Sequence, residues 1–247
     1  MDVYLYAKIP SMKKYILIIV ATQFVAVCNL QAQANSISTT GKWGQQIFLS
    51  DVNGRAFENK YSDINGSAYL FPEFKYATIV LTDGRQYTNV KARLNLVEHE
   101  VNFIASNGEE GYIGKGMVHT ISFNDTTKQG IKTFSFQTGF PKTDNQTVIH
   151  FYQVLANGKI ALVKSIAKNI EERINELSGE KSKEFAVREN LYLQLGGELK
   201  RIKKEASFFL TNLSDQKELV NQYLNSNKVN FKNEDQLIAL INYYNSL

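Results

Sequence analysis

The chain has 247 residues, with 28 Lys and Arg against 24 Asp and Glu, and a single cysteine. At 43% hydrophobic and 21% charged residues it is neither a disordered polyelectrolyte nor a small disulfide-stapled scaffold, and its length supplies one or two ordinary cores. A formal charge of only +4 gives no general field of the kind that holds nucleic acid.

Residues 12 to 34 read MKKYILIIVATQFVAVCNLQAQA. The apolar run Tyr15 to Val27 is 13 residues long, short of the roughly twenty that cross a bilayer core. Lys13 and Lys14 precede it and Ala32-Gln33-Ala34 follows it, which is the layout of a signal peptide cut between Ala34 and Asn35. Val25-Ala26-Val27 ahead of Cys28 puts a branched side chain where lipidation wants a small one, so Cys28 leaves with the leader. Met12 is a second candidate start, because MDVYLYAKIPS fits no leader pattern. Without residues 1–34, 25 basic residues face 23 acidic ones, a net charge of +2, and no cysteine is left. The expected product is therefore exported, periplasmic or extracellular or associated with an outer membrane. It has no disulfide and no transmembrane span. The two-lysine leader reads as bacterial, so the four Asn-x-Ser/Thr sequons are taken as chance.

The turns come next. Asn53-Gly54, Asp83-Gly84, Asn107-Gly108 and Asn157-Gly158 each separate two apolar alternations, the strongest local sign of a hairpin. In VKARLNL, Val90, Ala92, Leu94 and Leu96 share one face, with Lys91, Arg93 and Asn95 on the other. MVHTISF puts Met117, His119, Ile121 and Phe123 on one face, which marks His119 as a core histidine. VIHFYQVL is apolar on both faces, which predicts a central strand and buries His150. The stretch KNIEERINELSGEKSKE, residues 168–184, fits an exposed loop or an amphipathic helix through Ile170, Ile174 and Leu177, and we read it as a helical excursion. After Gly196-Gly197, Leu199, Ile202, Ala206, Phe209 and Leu213 recur at helical spacing. A second helix carries Leu219, Val220, Tyr223 and Leu224 behind Ser214. A third follows Asn233, with Gln236 in capping-box position.

These elements predict an α+β fold: an antiparallel β meander, as a sandwich or partly open barrel, followed by a small C-terminal bundle of three short helices. The expected divisions are a signal peptide over 1–34, a β domain over 35–197 and a helical tail over 198–247.

Chemistry-bearing motifs are sparse. The chain has no Gly-x-Ser-x-Gly elbow and no His-Glu-x-x-His pair, and GEEGYIGKG at 108–116 departs from the phosphate-loop template because Lys115 is followed by Gly116. Glu98 and Glu100 flank His99 in VEHEV, but carboxylates at i and i+2 do not build a glycosidase pair, which normally comes from different strands. No catalytic residue, metal ligand or cofactor is assigned. Two groups remain as binding candidates. The aromatics Trp43, Tyr69, Phe71 and Phe74 could form a sugar- or protein-binding surface. Lys200, Arg201, Lys203 and Lys204 in LKRIKKE could meet an anionic surface or polymer, against the plainer reading of a solvated helix face.

The run GSAYLFPEFKYATIVLTDGRQYTNVKARLNL, residues 66–96, carries Gly66-Ser67, Tyr69-Leu70, Glu73-Phe74, Asp83-Gly84, Arg93 and Asn95. In this pattern it resembles a family of uncharacterised exported β-rich proteins of Bacteroidetes-type bacteria, with Ala68 and Leu94 where the family more often has Pro and Tyr. The likeness continues through YQVLANGKIAL, NKVNF and INYYN. It implies an envelope or secreted location and transfers no activity. Arg93 and Asn95 then stand as either a ligand contact or a structural hydrogen-bond pair. The expected function is a non-enzymatic binding or scaffolding domain for an envelope protein or glycan, with a dispersed-site hydrolase and a peptide-binding adaptor as alternatives. N-terminal sequencing of the exported product is expected to begin at Asn35.

Overall fold

The computed structural model describes residues 60–247, apart from 128, 129, 145, 175 and 178. The leader, Trp43 and the expected hairpin around Asn53-Gly54 lie outside the described residues. Eleven strands form one sheet: β1 (Ile64–Asn65), β2 (Lys75–Leu81), β3 (Gln86–Asn95), β4 (Glu100–Ile104), β5 (Glu110–Ile113), β6 (Val118–Thr127), β7 (Gly130–Gln137), β8 (Tyr152–Ala156), β9 (Ala161–Ile174), β10 (Lys181–Leu195) and β11 (Glu198–Arg201). Three helices follow: α1 (Ala206–Asn212), α2 (Lys217–Asn227) and α3 (Glu234–Ser246). The fold is α+β, mostly sheet with helices near the C-terminus, as expected. No described helix is long and apolar enough to cross a membrane.

The sheet order is β1-β10-β9-β8-β7-β6-β2-β3-β4-β5, with β11 on β10. All neighbours are antiparallel except β1, which runs parallel to β10. Gly84 and Gly108 take φ of +86° and +85° in the expected turns, which only glycine enters freely. The sheet rolls without closing. Lys168 N–H on β9 donates to Leu96 O just beyond β3, although β8, β7, β6 and β2 lie between those strands in the sheet. Segment 66–70 fills the seam: Leu70 N–H reaches Leu94 O, and Leu96 N–H reaches Ala68 O. Inside the roll, Ile79, Leu94, Phe103, Phe123, Phe136 and Ile166 form the main core.

Three expectations are corrected. Residues 168–174 and 181–184 are not helical but belong to the outer halves of β9 and β10, paired through Ile174↔Lys181. Ile166, Ile170 and Ile174 recur every four residues, a spacing that fits a helix face and a strand face equally. The register decides for the strand by setting Ile170 opposite Phe185 and Glu172 opposite Lys183. The first tail helix starts at Ala206 rather than near Leu199. Gly196 and Gly197 both have positive φ, at +59° and +80°, the geometry of a two-residue hairpin turn, and they fold Glu198–Arg201 back onto Tyr192–Leu195.

His119 is likewise not a core residue. The pairing of β2 with β6 passes from Val80↔Thr120 to Leu81↔Val118, and this irregularity leaves His119 half-buried beside Gln137.

The helices cover one face of β8–β10, where Leu162, Leu193, Phe209, Val220, Leu237 and Ile241 make a second core. Asn233 caps α3 as expected, its side chain accepting from Gln236 N–H at 3.0 Å. The other half of the box differs, since Gln236 Oε1 accepts from Asn230 N–H. The far end of α3 is clasped to the β8–β9 turn: Asn245 accepts from Ile160 N–H and donates to Ile160 O, both at 3.1 Å. This close approach requires Gly158, where a Cβ would lie 2.6 Å from Asn245 Cγ. Gly158→Ala is expected to cost about 1–3 kcal/mol by overpacking, and Asn245→Ala about 1–2 kcal/mol through the two lost bonds. In chemical denaturation the double variant should be less destabilised than the sum, because both changes break one clasp.

Candidate functional site

The aromatic group is partly assembled and spends itself internally. The Arg93 guanidinium lies 3.7 Å from the ring centre of Tyr69 and 4.4 Å from that of Phe74. It donates to Glu110 at 2.7 Å, and the Asn102 amide donates to the same carboxylate oxygen at 2.9 Å. Tyr69, Phe74 and Arg93 thus form a cation–π pillar on the outer face of β3 and β4. Phe71 stands apart, edge-on to Phe123 and Phe134 over the main core. Asn95 is structural: its oxygen accepts from Val97 and Glu98 N–H, and its amide donates to Tyr61. The VEHEV carboxylates sit in different surroundings. Glu98 is held at about 2 by hydrogen bonds from Lys115 and Lys60, whereas burial raises Glu100.

His99 has a φ of +53°, which turns its ring inward against His150, with 3.7 Å between ring centres. A directed chain of hydrogen bonds follows. The Tyr152 hydroxyl donates to Gln146 Oε1, and Gln146 Nε2 donates to Ser165 Oγ at 2.8 Å. The serine hydroxyl, which accepts from Gln146, also meets His150 Nε2 at 2.8 Å, and it can donate there to a neutral ring protonated on Nδ1. Burial enforces that state, holding His150 at about 3 with His99 adding to the effect. Burial, then the Lys115 charge, holds His99 at about 4 against a smaller opposing pull from Glu98.

Serine and histidine at hydrogen-bond distance are two parts of a nucleophile–base set. Here Ser165 is only 1% exposed, and its oxygen is occupied on both sides. The chain's effect is to fix the 138–150 loop over β9. Among the described residues, no three His, Asp or Glu side chains gather as a metal would need.

Under that loop is a cleft of about 500 Å³. Its floor is one face of the β9–β10 ladder, where Ser165 faces Asn190 and Ala167 faces Arg188, with Asn169 beyond. Tyr192 and Arg201 are cross-strand partners at one end, and Asp144 and Gln146 come from the loop. The walls hold one another in place. Tyr192 donates to Asp144 at 2.8 Å, Arg201 donates to Asn190, and Arg188 pairs with Glu171 at 3.1 Å. Burial and the Asp144 bond push the Tyr192 phenol up to about 12. Asp144 sits at φ +48°, a left-handed conformation that Asp tolerates better than most residues.

LKRIKKE is therefore divided by the fold. Arg201 lines the cleft. Lys200 is on the opposite face with Leu193, 3.5 Å from Glu198, while Lys203 and Lys204 are exposed in the link to α1. Sequence reasoning missed Asp144, Gln146, Ser165, Asn169, Arg188 and Asn190. The available signal was the polar run at alternate positions, Ser165 and Asn169 on one strand with Arg188 and Asn190 on the next. Comparison with family models, curated proteins and solved structures finds no match.

Both imidazoles return to about 6.5 on unfolding, so the unfolded chain takes up protons first as pH falls. Their stabilising contribution is fully present above pH 6.5 and is lost as pH drops toward about 4 and 3. The loss is expected to reach roughly 3–5 kcal/mol per imidazole. Denaturation across this range should show it, and His99→Asn with His150→Gln should flatten the profile above pH 4.5, where Glu98 is still ionised.

Proposed function

We propose that the protein is an exported, non-enzymatic binding domain of a bacterial cell envelope that holds a hydroxyl-rich ligand, a glycan segment, in the cleft over β9 and β10. The observation that carries this reading is the chemistry of the cleft wall. Sugar hydroxyls donate and accept at once, and the wall offers amides that do both at Gln146, Asn169 and Asn190, a carboxylate at Asp144 and guanidinium donors at Arg188 and Arg201. Their mutual bonds fix these groups before a ligand arrives, which lowers the ordering cost of binding. The export half rests on the leader, on the absence of cysteine after Cys28 and on the family resemblance.

A second reading, peptide addition at a sheet edge, has one observation in its favour. On the outer edge of β10, β1 pairs only at Lys183–Glu184 and β11 at Tyr192–Leu195, with Ile202 N–H on Leu191 O, so no described strand covers Phe185–Asn190 between them.

The test is a glycan array of envelope polysaccharide fragments, followed by calorimetry on the hits. Ala167→Phe, which fills the cleft floor without removing a polar group, is expected to abolish binding at unchanged thermal stability. Asn169→Ala is expected to weaken it about fivefold, the worth of roughly one hydrogen bond. Undiminished binding by the Ala167→Phe protein would remove the cleft from the reading, and capture of extended peptides alone would favour the second.

A further inference from the structure

A second cleft, of about 430 Å³, opens on the other face of the same ladder. Lys164 and Leu191 line it and are cross-strand partners, whereas Ser165 and Asn190, one residue along each strand, are partners on the face of the first cleft. Side chains alternate across a sheet, so the two clefts lie back to back. They share Asn190 and Arg201, which stand where β11 ends and the bare edge of β10 begins.

The lining of the second cleft is net cationic, with Lys164, Arg201, Lys204 and Lys232 against Glu189 and Glu234. Lys164 is paired with Glu234 at 2.8 Å and Arg188 with Glu171. Arg201, Lys204 and Lys232 have no carboxylate partner among the described residues, and all three line the second cleft. These are cations of the LKRIKKE stretch and of the approach to α3, brought together by the Gly196-Gly197 turn and the packing of the helices.

We propose that the two clefts act as one groove over the free edge of β10 and that its ligand is a linear, carboxylate-bearing glycan, with Arg201 at the bend and Lys204 and Lys232 neutralising the acidic groups. This rests on the glycan reading of the first cleft and names the ligand class. A flat lipid surface cannot enter recesses on opposite faces of a sheet. A nucleic acid strand would want exposed rings to stack on, and the one ring in the groove, Tyr192, is buried to 1% exposure.

The experiment measures binding of a galacturonate hexamer, neutral maltohexaose and phosphatidylglycerol vesicles to the full mature chain. The wild type is compared with Ala167→Phe and with Arg201→Gln/Lys204→Gln, after thermal melting has shown each variant folded. The hexauronate is expected to bind about tenfold more tightly than the neutral hexamer at low salt, from one or two charge-assisted hydrogen bonds. Screening at about 0.5 M salt, or the double Gln variant, should remove most of that advantage. Ala167→Phe should block both sugars. Equal affinity for the two sugars, with both lost in Ala167→Phe, overturns this inference and leaves the cleft reading standing. No sugar binding, or sugar binding that Ala167→Phe does not touch, overturns both. Binding to vesicles in preference to the hexauronate overturns this inference in favour of a lipid surface.

Discussion

The register between β9 and β10 is the constraint on which the rest of the molecule depends. From Ile174↔Lys181 to Ala161↔Gln194 the two strands pair without a slip, and alternate positions do different work along the whole length. Leu162 and Leu193 face the helices, whereas Val163 and Tyr192 face the 138–150 loop with Phe140, Tyr152 and Leu199. Ser165, Asn190 and Arg188 continue that second face as the cleft floor. Shifting one strand by a single residue would turn Leu193 toward the polar cleft and Asn190 toward the helices. Burial of the leucine face under Phe209, Leu237 and Ile241 makes such a slip costly, so the apolar packing behind the sheet places the polar groups in front of it.

The seam of the roll is the second constraint. Lys168 joins β9 to the segment ahead of β2 through two carbonyls, Ser67 O and Tyr69 O, each at 2.7 Å, while its own N–H holds Leu96 O. Burial lowers the Lys168 ammonium, and the two carbonyls are what it has in place of water. Gly66-Ser67, Tyr69-Leu70 and Asn95 meet at this seam. These residues bridge the open seam of the roll.

How much of this was legible varied with the range of the interaction involved. Asp83-Gly84, Asn107-Gly108 and the Asn233 cap are decided within four or five residues, and each forms where the sequence puts it. The isoleucines at 166, 170 and 174 are ambiguous in principle, because a step of four satisfies both periods, and only the partner strand resolves them. Gly196-Gly197 fits both a boundary between strand and helix and a hairpin turn; the first choice puts Leu199 and Arg201 on a helix, whereas the structure has them on a strand. The cleft was invisible for a different reason. Gln146, Ser165, Asn190 and Arg201 come from a loop and three strands, and of the four only Arg201 stands in a stretch that the sequence marks, LKRIKKE. His150 was legible as buried, but its bond to Ser165 depends on how the loop crosses β9.

The arm formed by β9 and β10 runs from a buried base to an outer half with water on both faces. Ile170, Ile174 and Val187 are there 44%, 60% and 54% exposed. Amide protons in one continuous ladder should therefore exchange over a wide span of rates, slowest near Val163 and quickest toward Ile174. The proposed groove sits at the crossover between these regimes. An occupant bridging Arg188 and Arg201 would stiffen the arm from its root, so that occupancy is transmitted as order to a tip it never touches.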